Sequence, residues 1–155
     1  MAALLAAFVC VATMIIRLPS PLGGYINLGD CVVLISGWLL SPLYGFAAAA
    51  VGSAMADVFS GYIMYAPATF VIKGLMALCA HYIGKKGGLM RNIMGGTCAE
   101  ALMVVGYYVF EGFVYGFVPS LVNIPANAVQ GLFGVVSAVV LIKLFEKHGI
   151  GKAAE

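Results

Sequence analysis

Charge is the scarcest property of this sequence. Asp, Glu, Lys and Arg make up 9% of its 155 residues, against 63% hydrophobic residues. Soluble domains carry about 25% charged and roughly 45–50% apolar residues. So little charge cannot cover a water-facing surface, which excludes a soluble globular protein and indicates an integral membrane protein. The alternating ten-residue segments of an outer-membrane barrel are also missing. Long Leu, Val, Ala and Met runs with 20 Gly stand in their place and fit an all-α helical bundle, read as a single domain over residues 1–155.

Other absences narrow the function. Cys10, Cys31, Cys79 and Cys98 lie in apolar runs without CxxC or Cys/His spacing, so neither a zinc site nor a disulfide framework is indicated. A net charge of +2 is too small to point to nucleic acid. The "GKKGG" at Gly84 to Gly88 lacks the spacing and the hydroxyl residue of a phosphate-binding loop, so the chain is not expected to hydrolyse ATP by itself. HExxH and GxSxG are absent. His81 and His148 stand alone, His81 reading as a helix-end residue and His148 as a solvated tail residue. No enzyme motif, metal or cofactor is indicated. The first residues show no basic n-region or small-residue cleavage site, so Met1 to Ile16 reads as a retained span.

What is present is a set of apolar segments: Ala2 to Ile16, Cys31 to Leu40, Leu43 to Ser60, Pro67 to Gly84, Asn92 to Phe113 and Pro119 to Phe145. Crossing a bilayer takes about 20 residues. Cys31 to Leu40 is short of that, which leaves either a short helix of its own, giving six spans, or one long helix kinked at Pro42, giving five. Lys85, Lys86 and Arg91 between the fourth and fifth segments, and Lys143, Lys147 and Lys152 near the C-terminus, belong on the cytoplasmic side. Either span count satisfies that rule.

Four segments carry a polar face. Ser53, Asp57 and Ser60 follow i, i+4, i+7; Thr69 and Lys73 follow i, i+4; Glu100, Tyr107 and Glu111 follow i, i+7, i+11; and Asn123, Asn127, Gln130, Gly134 and Ser137 keep one register. Lipid offers polar groups no partners, so these faces must meet one another or water, and an ionisable residue at depth marks a functional site by default. A rise of about 1.5 Å per residue sets Lys73 on the order of 9 Å below a helix start at Pro67. Asp57 and Lys73 are equidistant from Tyr65, so an antiparallel hairpin brings them to similar depth. They either pair to fix helix register or face a ligand. The Asn and Gln stripe beside Tyr107 suits a neutral, ring-shaped, hydrogen-bonding solute better than an ion, unless it is interhelical glue. Small-xxx-small spacings recur at Ala3/Ala7, Ala2/Ala6, Gly45/Ala49 and Gly52/Ala56, where helices can approach closely.

Three stretches taken together, "ALLAAFVCVATMIIRLPSP", "GGYINLGDCVVLISGWLLSPLYGFAAAAVGSAMADVFSGY" and "YAPATFVIKGLMA", resemble the substrate-binding S-components of energy-coupling factor (ECF) vitamin transporters of bacteria. The resemblance implies six transmembrane helices with both termini cytoplasmic, in a multi-pass protein of the bacterial cell membrane. It places the loop from Arg17 to Gly29 outside, capping the ligand. Matched onto this chain, the ligand positions are Tyr25, Asn27, Lys73, Tyr107, Glu111, Asn123 and Asn127, with Asp30, Asp57 and Gln130 as further candidates. It also implies docking of an energy-coupling membrane subunit on Ala3 and Ala7, or on Ala2 and Ala6, and a pair of ABC-type ATPases as the energy source. The "NLGD" and "YAPATFVIKG" stretches look most like the subgroup for hydroxymethylpyrimidine or vitamin B6 compounds. A proton- or cation-coupled carrier, with Asp57, Glu100 and Lys73 as a relay, is the alternative of a different class.

Overall fold

The computed structural model describes residues 1–84 and 88–147. In chain order these form α1 (Ala2–Ile15), a hairpin of β1 (Arg17–Pro19) and β2 (Tyr25–Asn27), α2 (Gly29–Leu39), α3 (Pro42–Phe59), α4 (Ala66–Gly84), α5 (Gly88–Tyr115), the short α6 (Phe117–Ser120), a 3-10 turn (Leu121–Asn123) and α7 (Ile124–Lys147). The helices α3, α4, α5 and the α6–α7 unit are long and apolar enough to cross a membrane; α1 and α2 are apolar but shorter. Lys85, Lys86, His148 and Lys152 lie outside the described residues.

The choice at Pro42 resolves into two helices. Leu40 and Ser41 are both extended, with ψ of 167° and 160°. A residue before proline is pushed out of the α region, while proline's fixed φ and missing N–H suit the first position of the next helix. A second proline effect divides the last apolar segment, expected as one helix from Pro119 to Phe145. Pro125 has no N–H to continue the ladder, and Ile124 donates to the Leu121 carbonyl in a tighter turn. The hairpin was not expected in an all-α chain. Its strands are too short to alternate visibly, and prolines at 19 and 21 hide the pairing of Arg17 with Asn27, Leu18 with Ile26 and Pro19 with Tyr25.

Helix α2 is the centre of the molecule. Every residue except Val32 and Leu39 is buried, as a helix apolar all round requires. Around it lie α1, α3, α4 and α7. Leu34 and Trp38 of α2, Met76 and Ala80 of α4, Met103 of α5, Val9 of α1 and Ile142 of α7 belong to one apolar core. His81, in the last turn of α4, donates from Nδ1 to the Gly37 carbonyl of α2 at 2.9 Å. Its helix-end placement holds, and its ring ties two helices.

Close helix approach depends on residues without a Cβ at two places. A side chain at Gly37 would meet the Ala77 carbonyl of α4, and one at Gly52 would meet the Ala6 carbonyl and Val9 of α1. The Gly52 contact also half-buries Ala6 in internal packing, whereas Ala3 and Ala7 remain exposed. Gly52→Leu is therefore expected to cost about 1–3 kcal/mol by overpacking, and Ala3→Leu almost nothing. Thermal unfolding of the purified variants in detergent checks this, and equal melting temperatures would refute the α1–α3 contact.

Candidate functional site

Asp30 stands in the first turn of α2, where the aligned peptide dipoles favour a negative charge. It is fully buried, and Lys73 of α4 donates to its Oδ1 to form a buried ion pair. Gln130 of α7 donates to the other carboxylate oxygen at 2.5 Å, and its own carbonyl oxygen accepts from the Asn27 backbone N–H at 2.8 Å. Asn27 in turn accepts from the Gly29 N–H at 2.9 Å, starting α2. The Lys73 ammonium also lies 5.6 Å from the centroid of the Tyr107 ring, within range of a cation–π attraction.

The partner assignment for Lys73 corrects the expected Asp57–Lys73 pair. Equal spacing from Tyr65 set the depth of both residues but said nothing of a third element. Asp30, at the buried N-terminus of the central helix, reaches Lys73 first. Asp57 is instead held by Tyr25 of the hairpin, whose hydroxyl donates to Oδ1 at 2.5 Å. Burial, with the neighbouring Asp57 charge adding, pushes the Tyr25 phenol up from its ordinary value, so it remains a donor at neutral pH.

Above this layer a cavity opens beneath the hairpin. Its walls include Tyr25 and Asn27 of the hairpin, Asp57 of α3, Lys73 of α4, Tyr107 and Glu111 of α5, and Asn127 and Gln130 of α7. The space between the walls is about 440 Å³ including the open mouth, of which about 30 Å³ takes the centre of a water-sized sphere. Two expected positions do not line it. Asp30 lies beneath Lys73, and Asn123 lies behind Glu111, donating to Oε1 at 2.9 Å. Glu100 faces a separate apolar groove between α5 and α7, against Gly131 and Gly134.

Several wall residues lay outside the matched positions. Tyr65 donates to Glu111 at 3.3 Å and has the Leu22 carbonyl at 3.4 Å. It precedes α4, so no helical stripe contains it. Ser20 and Gly24 belong to the hairpin loop, which has no periodicity to read. Thr13 is the one polar residue of α1 and is 3% exposed; an isolated hydroxyl in an apolar helix was the available signal. Ser53 and Thr69 belong to the polar stripes, and both line the cavity.

Over residues 1–147 the chain matches the family described as ECF-type riboflavin transporter, S component. It belongs to that family. A relative from Pyrococcus woesei, "Uncharacterized protein in gap 3'region", is 34% identical over 130 residues, covering 83% of this chain and 87% of its own. The S component is thus a membrane protein of a vitamin-transporter family, as its three sequence stretches implied. The family's riboflavin does not carry over to this cavity by membership alone.

Removing one partner of a buried ion pair leaves the other charge uncompensated, at a cost of roughly 3–5 kcal/mol. Lys73→Met is expected to destabilise the S component by that order, and adding Asp30→Asn to restore most of the loss. Double-mutant cycles read by thermal unfolding should give a larger coupling for Lys73 with Asp30 than with Asp57. The reverse order would return Lys73 to Asp57.

Proposed function

We propose that the S component is the substrate-specificity subunit of an ATP-driven ECF transporter. In this reading it binds a small vitamin or vitamin precursor beneath the hairpin, with hydroxymethylpyrimidine or a vitamin B6 compound as the best fit. The observation that carries it is a polar, tyrosine-rich cavity inside an apolar bundle, roofed by a loop hairpin. Buried polar groups without lipid or water to satisfy them are retained where a solute is handled. Its size favours a single-ring ligand over a larger one: only about 30 Å³ takes the centre of a water-sized sphere, far below the roughly 300–1,000 Å³ of small-molecule sites, so the walls must part even for one ring. The three fused rings and polyol chain of riboflavin would require the walls to part further. Tyr25 and Tyr107 would flank the ring, Asn27, Asn127 and Gln130 would meet its polar edge, and Asp57, Lys73 and Glu111 its substituents. Asn123 and Asp30 would hold Glu111 and Lys73 in place.

The same reading has six membrane-crossing helices with both termini cytoplasmic, in the bacterial cell membrane, and the hairpin outside. The energy-coupling subunit docks on the exposed Ala3 and Ala7 of α1, and paired ABC-type ATPases drive the cycle. The second reading, a proton- or cation-coupled carrier, draws on the number of buried ionisable groups: Asp30, Asp57, Lys73, Glu100 and Glu111.

A ligand at a hundred times its Kd stabilises the folded state by about 2.7 kcal/mol. Thermal-shift measurements on the purified S component are expected to show stabilisation by hydroxymethylpyrimidine or pyridoxine and less by riboflavin. A shift with riboflavin alone would reject the ring-size argument, and no shift with any vitamin would reject the binding role. Uptake by reconstituted protein separates the two readings: dependence on added coupling and ATPase subunits supports the first, gradient-driven uptake without them the second.

A further inference from the structure

Among the described residues, two carboxylates of the cavity wall each keep an oxygen that meets no donor, and the Ser53 hydroxyl on the same wall is likewise unpaired. Asp57 is 3% exposed and Glu111 2%, and both line the cavity. Each carboxylate accepts hydrogen bonds on one oxygen only. Asp57 Oδ1 takes the Tyr25 hydroxyl, and Glu111 Oε1 takes Tyr65 and Asn123. Asp57 Oδ2 and Glu111 Oε2 are buried with no hydrogen-bond partner among the described residues. Thr69 is a hydrogen-bonding neighbour of Asp57, and its hydroxyl also shares a 3.0 Å hydrogen bond with Tyr107 in which either group can donate.

The two carboxylates flank one point of the loop. Tyr25 bonds Asp57, and its neighbour Gly24 lies beside Glu111, where a Cβ would be in ordinary contact with Oε1 at 3.6 Å. Aromatic rings surround the same place: Tyr62 is 4.6 Å from Tyr25 between centroids, and Tyr65 is 6.5 Å from Tyr107. Among the described residues the one cation on the wall, Lys73, is already neutralised by Asp30, with the Glu100 carboxyl behind that pair. A buried acceptor left unmade costs more than a typical hydrogen bond returns, so a ligand that supplies the missing donors is favoured over one that adds acceptors. Tyrosine faces add attraction for a cation and none for an anion.

Resting on the vitamin-binding reading, we propose that the cavity selects heterocycles bearing a protonated amine or an amidine-like N–H group, bound between Asp57 and Glu111, and rejects anionic derivatives of the same ring. This goes beyond the ring size and sets the sign of the substituent. A neutral alcohol offers one donor where an ammonium offers three, so it should bind in between.

Three pyridine compounds differing at one ring substituent test this: pyridoxamine with an amine, pyridoxine with an alcohol and 4-pyridoxic acid with a carboxylate. Calorimetric titration of the purified S component is expected to rank them in that order, with at least tenfold between the amine and the alcohol and no detectable binding of the acid. Asp57→Asn and Glu111→Gln, checked for folding by thermal unfolding, should each weaken pyridoxamine at least tenfold and pyridoxine much less. Equal or tighter binding of the acid, or unchanged pyridoxamine affinity in both folded variants, would overturn the charge selection while leaving vitamin binding intact. No binding of these three, of hydroxymethylpyrimidine or of riboflavin would overturn both. If Asp57→Asn fails to fold, Glu111→Gln alone decides.

Discussion

The rest of the structure hangs on the ion pair between Lys73 and Asp30. In a bundle whose outer surface meets hydrocarbon, a lysine at depth has no solvent to return to, and its counter-charge must come from another element of the fold. Here that element is the central helix, and the position is the one where the helix dipole already favours an acid. Gln130 takes the second carboxylate oxygen and passes its own carbonyl to the hairpin backbone. One short network thus joins α2, α4, α7 and the hairpin. Its stability contribution is modest by the usual reckoning of buried pairs, but it fixes which helix faces meet.

The network also divides the molecule into two layers. Below it, toward the C-terminal half of α2, the interior is mostly apolar, with Leu34, Met76 and Met103 fully buried and glycines allowing backbone contact, although the Trp38 indole N–H and the Glu100 carboxyl are buried outside the cavity without a hydrogen-bond partner among the described residues. Above it, the walls are polar and their hydrogen-bonding capacity is incompletely used. The lower layer holds the fold and the upper one is free to be specific. A polar wall of this kind would be a poor way to stabilise a protein, because each unpaired acceptor detracts from folding.

The helical order was legible because hydropathy and proline carry it directly: each long apolar run but the last became one helix, Pro42 marked a true boundary and Pro125 a second. The polar stripes at Ser53/Asp57, Thr69/Lys73, Tyr107/Glu111 and Asn127/Gln130 do converge on one cavity, since lipid leaves them no other direction. The pairing inside the cavity was not legible. Spacing along a helix gives face and depth but not which of several buried acids at that depth comes nearest, and the apolar run that marks the central helix begins only at Cys31, one residue past Asp30. The hairpin and Tyr65 were hidden for a simpler reason: both lie where the chain has no repeating geometry. What such segments touch is set by the helices they cross.

The hairpin's attachment ties its position to the occupancy of the cavity. Both strands are short and β1 is wholly exposed, so little apolar burial holds this element down. Its specific contacts are polar: Tyr25 to Asp57, the Asn27 N–H to Gln130 and Tyr65 to the Leu22 carbonyl. Asp57, Gln130 and Tyr65 are also cavity wall. A solute that takes up hydrogen-bonding capacity from these groups competes with the hairpin, and one that uses only their spare oxygens adds to it. Coupling between two binding events is reciprocal. The hairpin must therefore alter solute affinity by the same factor by which the solute alters the hairpin's hold on the bundle, whichever way the sign falls.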